Sequence, residues 1–318
     1  MSERPSRAHF DAMVDNLLQG KLVFFLGAGV NLCGRADSDS FEIGRHLPDG
    51  AELAAYLAGR ARYARDQSGD LLRVAQYIDI ERGWGPLYEY LHEIFQHDYL
   101  PTTVHRILAS LPAAIRDNVP EGKRRFPLII TTNWDHSLEQ AFTDAGEQFD
   151  IVTYIAEGPH KGKFTHGRPG EYPVLIDRPS EYVKQIPFGE RAAIAKIHGS
   201  VAAELEDDSF VITENDYISY LSSGEFQALV PRDIFMRLQR CHFLFLGYSL
   251  RDWNLRVILQ RLWGDDAPYN HWSVQNGFDH TEEVAWLRKK VDSIDSPLGD
   301  YMTGLAESLE TWNAERAS

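Results

Sequence analysis

The sequence predicts an α/β fold in which a parallel sheet is flanked by helices. Six apolar segments bounded by turn residues recur along the chain, with helical patterns between them. Such alternation is typical of βαβ units, which build parallel sheets. Several of these segments are apolar at nearly every position, as expected for strands that are covered on both faces.

The composition is that of a folded protein with a substantial core. The chain has 318 residues, of which 43% are hydrophobic, and we expect a single domain over residues 1–318. No apolar run approaches the roughly 20 residues needed to span a bilayer. The N-terminus MSERPSRAHF also lacks the apolar region of a signal peptide. We therefore expect a cytoplasmic protein with no membrane segment.

Charge and cysteine content argue against two classes of function. The formal net charge is −15, whereas a nucleic-acid-binding surface needs clustered lysines and arginines. The one compact basic run, GKRRF at 122–126, is interpreted as a solvated loop. Cys33 and Cys241 are too few for a disulfide framework and form no C-x-x-C pair. The histidines show no metal-binding spacing either, so no metal site is predicted.

The predicted elements follow in order along the chain. A helix over 6–19 precedes the first strand and ends at Gly20, because glycine is common just after helix C-termini. The predicted strands are KLVFFLG (21–27), RFPLIITTN (125–133), FDIVTYI (149–155), AAIAKIHG (192–199), HFLFLGYS (242–249) and HWSVQ (271–275). These strands predict a Rossmann-like sheet.

Two long segments interrupt this pattern. Helical patterns after the first strand predict an inserted helical subdomain over 45–125, in which no convincing strand is found. The segment 157–190 is rich in glycine, proline and charge, and such long connections are often functional lids or interaction surfaces. Further on, a capping box of Thr213 and Asp216 predicts a helix. RDWNLRVILQRLW, at 251–263, predicts another.

Four predicted strands end in residues that could contact a ligand. GAGVN ends the first strand, TTNWD the second, His-Gly the fourth and GYSLRDWN the fifth. Because the carboxyl ends of parallel strands share one sheet edge, these ends are predicted to outline one polar cleft. The candidate ligand contacts are Gly27, Ala28, Gly29, Asn31, Thr132, Asn133, Asp135, His198, Gly247, Tyr248, Ser249 and Asn254.

Each motif taken singly also has a simpler interpretation. The Gly-Ala-Gly stretch is compatible with a plain turn, the Thr-Asn-Asp run with helix capping, and a lone His198 with a structural role. A dehydrogenase fingerprint fails because Leu32 stands where a third glycine is required. GPHKGKF, at 158–164, is one residue short of a P-loop and has Phe164 in place of the hydroxyl. Only the four motifs together indicate a ligand site.

The ordered set of motifs resembles the sirtuin superfamily. NAD sites of that superfamily use a Gly-Ala-Gly loop, a Thr-x-Asn-x-Asp motif, a His-Gly motif and a Gly-x-Ser motif, in that order. The matching residues here are Gly27, Ala28, Gly29, Thr131, Asn133, Asp135, His198, Gly199, Gly247 and Ser249. The sequence is more similar still to the zinc-free, sirtuin-like domains of bacterial anti-phage defence proteins. That similarity rests on Asn31, TTNWD, TENDYISYL and GYSLRDWN.

The resemblance implies that NAD is the substrate. Hydrolysis of its nicotinamide–ribose bond would give nicotinamide and ADP-ribose and deplete NAD in abortive infection. Asn133 is then expected to position the ribose and the attacking water, and His198 to act as a general base towards them. Asp135 would orient the nicotinamide end. The Gly-Ala-Gly loop, Asn31 and Ser249 would hold the pyrophosphate and ribose.

Two other functions stay open at this point. One is an NAD-dependent protein deacylase, although such enzymes usually carry a zinc subdomain with four cysteine ligands, which two cysteines cannot build. The other is a non-catalytic module that senses NAD or ADP-ribose. Constant NAD hydrolysis would poison the cell, and the chain ends soon after the sixth strand and a terminal helix. We therefore expect control by homo-oligomerisation or by a partner protein such as a translocase-type ATPase.

Overall fold

The computed structural model of the protein describes most of the chain. The described residues are 5–36, 38–63, 69–179, 182, 186–204, 207–222, 231–248, 259–260, 262–264, 269–277 and 280–317. Two predicted ligand contacts, Ser249 and Asn254, lie outside these residues. Most of the helix predicted over 251–263 lies outside them as well.

A nine-stranded sheet runs through the described part of the molecule. The strands of the chain are β1 (Leu22–Leu26), β2 (Leu128–Thr131), β3 (Phe149–Tyr154), β4 (Phe164–Gly167), β5 (Val174–Ile176), β6 (Ala192–Lys196), β7 (Gly199–Ser200), β8 (Ser209–Phe210), β9 (His242–Leu246), β10 (His271–Gln275) and β11 (Val291–Asp295). The sheet order is β11-β10-β9-β1-β2-β6-β3-β4-β5, and β7 and β8 form a separate small ribbon.

Seven neighbouring strands, from β11 to β3 in the sheet order, are parallel. β4 and β5 add to one edge in antiparallel orientation. The predicted α/β class with a Rossmann-like parallel sheet is therefore confirmed. β1 is apolar along its length because both faces of the sheet are covered. Val23 and Phe25 face one hydrophobic cluster, and Phe24 and Leu26 face the other.

The six predicted strands correspond to β1, β2, β3, β6, β9 and β10. The long connection predicted over 157–190 contains the β4–β5 hairpin, which was not among the predicted strands. These strands are short, and β4 ends in the polar residues of FTHG, so neither shows the apolar run of a central strand. β11 was missed for a similar reason: it is an edge strand, and only Val291 in it is buried. HWSVQ is therefore not the last strand of the sheet.

The helices are α1 (Arg7–Leu18), α2 (Gly50–Ala61), α3 (Leu71–Arg82), α4 (Trp84–Phe95), α5 (Thr103–Asn118), α6 (Ser137–Asp144), α7 (Glu214–Ser222), α8 (Arg232–Arg240), α9 (His280–Leu287) and α10 (Leu298–Ala317). Both predicted helix signals are present. Gly20 follows α1 with a φ of +68°, and the Thr213 hydroxyl accepts from the Asp216 N–H at 3.0 Å before α7. In the described part of the chain, no helix is long and apolar enough to cross a bilayer.

The helices between β1 and β2 divide into two groups by their packing. α2, α3 and α4 surround a hydrophobic cluster that also includes Phe210 and Ile212 from the region of β8. α5 instead contributes Leu108 and Leu111 to the cluster on the sheet itself. The boundaries 45 and 125 of the helical subdomain stay a prediction, as does the single domain over 1–318.

The direction in which the sheet is built reverses at β1. The chain passes from β1 to β2 on one side, and it later places β9 on the other side of β1. In open α/β sheets, ligands bind outside the carboxyl ends of the strands at such a reversal. The topology therefore places the expected site at the end of β1, where the GAGVN motif begins.

Candidate functional site

A cavity of about 410 Å³ lies at the carboxyl ends of β1, β2, β6 and β9. This volume is within the range of small-molecule sites, roughly 300–1,000 Å³. Ten of the twelve predicted contacts line the cavity: Gly27, Ala28, Gly29, Asn31, Thr132, Asn133, Asp135, His198, Gly247 and Tyr248. The other two, Ser249 and Asn254, are outside the described residues. The structure thus brings four separate sequence motifs to one cavity.

The sequence did not indicate the walls of this cavity. The additional lining residues are Leu32, Pro48, Asp49, Gly50, Leu53, Leu71, Phe95, Trp134 and Tyr217. Seven of these nine residues lie between β1 and β2 in the sequence, and no local pattern reveals how close that segment comes to the sheet edge. Tyr217 and Trp134 had a detectable signal, since they lie within the TENDYISYL and TTNWD motifs. The cavity is therefore enclosed between the sheet edge, the inserted helices and α7.

Glycines form the floor of the cavity where β1 and β9 end. The Gly27 N–H donates to the Leu246 carbonyl at 3.0 Å, and the Gly29 N–H donates to the Gly247 carbonyl at 2.9 Å. A Cβ on Gly29 would lie only 2.7 Å from the Gly247 oxygen and 2.8 Å from its Cα. Gly247 itself has a φ of +62°, which favours glycine. At this floor the ends of β1 and β9 are thus packed backbone against backbone, which only glycine at these positions permits.

Gly29→Ala is expected to destabilise the protein by about 1–3 kcal/mol, because its methyl group would overlap the Gly247 backbone. Gly50→Ala is a matched control, since Gly50 lines the same cavity but an added Cβ would meet nothing within 4 Å. Urea denaturation of both variants measures the effect. Equal stability of the two variants would contradict the close backbone approach at the floor.

The Asn133 side chain is held at the end of β1. Its Nδ2 donates to the Gly27 carbonyl at 3.2 Å, and its backbone N–H donates to the Thr131 hydroxyl at 3.0 Å. The Thr132 N–H extends the pairing of β2 with β1 by donating to the Leu26 carbonyl at 3.2 Å. These bonds orient Asn133 in the cavity wall beside the glycine floor.

Asp135 carries a buried carboxylate whose two oxygens are both engaged. Its Oδ1 accepts from the Ser137 N–H at 2.9 Å, and its Oδ2 accepts from Nδ2 of Asn31 at 2.7 Å. Burial alone would raise the pKa of Asp135. The charges of Lys196 and His105 and the hydrogen bonds from Ser137 together lower it by more, so the pKa lies below its usual value. The carboxylate is therefore ionised near neutral pH.

Lys196 is a buried cation behind the cavity wall, and sequence reasoning missed it. Its side chain is 1% exposed, and its Nζ donates to Oε1 of Glu139 at 2.7 Å and to the Asp135 carbonyl at 2.5 Å. The Trp134 indole N–H in turn donates to the His198 carbonyl at 2.9 Å. The signal was present, since Lys196 is the charged residue in the otherwise apolar strand AAIAK. These contacts join β6 to the TTNWD segment.

His198 lies against Tyr217 at the end of β6. The two rings meet edge to face with centroids 5.3 Å apart, and the tyrosine hydroxyl is 3.5 Å from Nδ1. Burial lowers the pKa of His198 to about 3, so its imidazole is neutral at ordinary pH. A neutral imidazole that lines the cavity can accept a hydrogen bond from a ligand hydroxyl or a water molecule.

The low pKa of His198 predicts a loss of stability in acid. The unfolded chain takes up a proton at a pKa near 6.5 and the folded chain only near 3, so this contribution is present above pH 6.5 and declines as the pH falls towards 3. Between pH 7 and pH 4, we expect the free energy of unfolding of His198→Ala to fall by about 3 kcal/mol less than that of the wild type. Urea denaturation at both pH values measures this. Equal losses would contradict a buried, neutral His198.

The chemistry of the cavity fits a dinucleotide. Three glycines contribute to its floor, and amide and imidazole groups line its walls. The Asn31 Oδ1 is buried and has no hydrogen-bond partner in the described part of the chain, which leaves an acceptor for a ligand. Over the same part of the chain, no group of three His, Cys, Asp or Glu residues could hold a metal ion.

Comparison with known proteins places the chain among sirtuin-like domains. The family model described as "SIR2-like domain" matches residues 127–294. A protein of Acinetobacter baumannii named NAD(+) hydrolase ThsA is 27% identical over 268 residues, which cover 82% of this chain and 43% of that protein. Defense-associated sirtuin 2 of Bacillus subtilis is 24% identical over 241 residues, covering 76% and 19%.

Two further proteins are similar to this chain. The NAD(+) hydrolase ThsA of Cytobacillus dafuensis is 24% identical over 243 residues, covering 73% of this chain and 40% of that protein. The chain thus spans less than half the length of these curated relatives. A solved structure from work on the mechanism and regulation of Sir2 enzymes has a TM-score of 0.44 at 14% identity, covering 96% of this chain and 98% of that one.

Proposed function

Because this chain belongs to the SIR2-like domain family, we propose that it is an NAD+ glycohydrolase that releases nicotinamide and ADP-ribose. One observation carries the proposal: the glycine floor, Asn133 and His198 line a single cavity at the carboxyl edge of the sheet. Relatives named NAD(+) hydrolase support the reaction. The chain matches less than half of the length of each of these relatives, so its activity is proposed and not taken from theirs.

The reaction requires little acid catalysis at the leaving group. The nicotinamide ring of NAD is cationic, and it departs as a neutral molecule when its bond to the ribose breaks. The ribose passes through an oxocarbenium-like state, as in glycoside cleavage. Water then adds to the same carbon and loses a proton. The site therefore has to orient NAD, support positive charge on the ribose and deliver water.

Asn133 and His198 are the residues we assign to this chemistry. Asn133 is anchored to the end of β1, where its carboxamide can position the ribose and the attacking water. His198 is neutral, so it can accept a hydrogen bond from a ribose hydroxyl or from that water while positive charge develops nearby. A protonated histidine there would repel the oxocarbenium-like ribose.

We further propose that the reaction serves anti-phage defence by depleting NAD. A relative named defence-associated sirtuin supports this setting. Unrestrained hydrolysis would harm the cell that makes the protein, so we propose that homo-oligomerisation or a partner protein, such as a translocase-type ATPase, controls the rate. A rate per chain that is independent of protein concentration and of added partners would contradict this control.

Incubation of the purified chain with NAD, followed by mass spectrometry, tests the activity. We expect nicotinamide and ADP-ribose in equal amounts without any added peptide. Release of nicotinamide only in the presence of an acyl-lysine peptide would instead identify a protein deacylase. Binding of NAD without turnover, with or without candidate partners, would identify a sensing module. The same assay would reveal a cyclic product by its mass.

A further inference from the structure

We propose that Asp135 is a positioning residue that sets the polarity of the Asn31 side chain towards the substrate. By this inference, which rests on the proposed function, Asn31 presents its carbonyl oxygen to the cavity and recognises a hydrogen-bond donor of the dinucleotide. Both residues line the cavity, although 104 positions separate them in the sequence.

The state of Asp135 determines which end of Asn31 faces it. An ionised carboxylate only accepts hydrogen bonds, and the pKa of Asp135 lies below its usual value. The Asn31 Nδ2 therefore has to point at Asp135 Oδ2, where it lies at 2.7 Å. The Ser137 N–H holds the other carboxylate oxygen at 2.9 Å. Each oxygen of Asp135 thus accepts a hydrogen bond from within the protein.

The carbonyl end of the Asn31 amide faces no hydrogen-bond donor in the described part of the chain. Its Oδ1 is buried and has no hydrogen-bond partner among the residues that the structure describes. A buried acceptor without a donor carries a desolvation penalty, which a donor on the substrate would remove. On its nicotinamide side, the dinucleotide has two kinds of donor for this position, a ribose hydroxyl and the amide N–H of the nicotinamide. Both supply the same chemistry, an O–H or N–H directed at a carbonyl oxygen.

Exchanging the two residue types tests the polarity directly. In Asp135→Asn, the new amide is expected to donate towards residue 31, so that Asn31 turns its NH2 group into the cavity. In Asn31→Asp, two carboxylates face each other and repel. The double variant Asn31→Asp with Asp135→Asn restores one donor, one acceptor and an oxygen that faces the cavity. We expect each single variant to weaken substrate binding about tenfold and the double variant to recover most of it.

Carba-NAD, a dinucleotide whose nicotinamide bond resists hydrolysis, serves as the probe in calorimetric titrations. Two analogues identify the donor. One is nicotinic acid adenine dinucleotide, which lacks the amide N–H, and the other lacks a hydroxyl on the nicotinamide ribose. The analogue without the relevant donor should bind the wild type weakly and lose no further affinity in Asp135→Asn. Equal losses for every ligand in Asp135→Asn would overturn the assignment.

The free energy of unfolding of the ligand-free variants separates this inference from the proposed function. We expect the double variant to be more stable than the sum of the two single effects predicts, because it rebuilds the hydrogen bond between the two side chains. Additive effects would overturn the pairing, whatever the protein binds. If the variants show this coupling but the wild type binds no dinucleotide, the pairing stands and the proposed function is contradicted.

Discussion

Asn133→Ala and His198→Ala are each expected to slow nicotinamide release by about 10²–10⁴-fold while the protein stays folded. Both side chains line the cavity at the carboxyl edge of the sheet. Asn133 donates to the Gly27 carbonyl, so its loss removes the group that would place the ribose and water beside the floor. His198 is buried and neutral, and no other imidazole lines the cavity in the described part of the chain.

Matched controls remove a histidine and an asparagine side chain outside the cavity. His160→Ala and Asn215→Ala serve this purpose, because both residues are exposed and neither lines the cavity. Circular dichroism and thermal melting should show that all four variants keep the fold. Release of nicotinamide at the wild-type rate by both cavity variants would remove Asn133 and His198 from the mechanism.

Lys196→Met is expected to destabilise the protein by about 3–5 kcal/mol, because it leaves the Glu139 carboxylate buried without its cation. The ammonium group also donates to the Asp135 carbonyl. Its loss should therefore disturb the TTNWD segment and reduce NAD hydrolysis in the protein that remains folded. Chemical denaturation and steady-state kinetics on the same preparations measure the two effects.

A second substitution separates the charge effect from a general packing defect. In the double variant Lys196→Met with Glu139→Gln, no uncompensated charge remains in the pair, and we expect much of the stability to return. The activity should not return with it, since the double variant still lacks the donor to the Asp135 carbonyl. Equal destabilisation in the single and double variants would show that the ion pair contributes little to the fold.

Much of the fold could be predicted because its signals are local. The continuous apolar runs of β1, β2, β6 and β9 indicate strands that are buried on both faces, and helical patterns between strands indicate parallel pairing. β4 and β5 were missed because they are short, and β11 because most of its residues are at least partly exposed. Their pairing depends on neighbours that a local pattern does not contain.

The site, too, could be predicted from the sequence only where its signals are local. Strand polarity is sufficient to bring the ends of four parallel strands to one edge, so the sequence alone groups the motifs around Gly27, Asn133, His198 and Gly247. The walls formed by Asp49, Leu53 and Phe95 could not, because the helices α2–α4 are placed by their packing with Phe210 and Ile212, which are distant in sequence.

By itself, the sequence determined the fold class, the edge of the sheet that carries the site and the family to which its motifs are similar. All three depend on residue patterns within single strands and on the direction of the chain. Only the tertiary structure decided that Asp135 pairs with Asn31, that Lys196 is buried against Glu139 and that His198 is neutral. Those properties depend on burial and on the distances between side chains far apart in sequence, which packing alone sets.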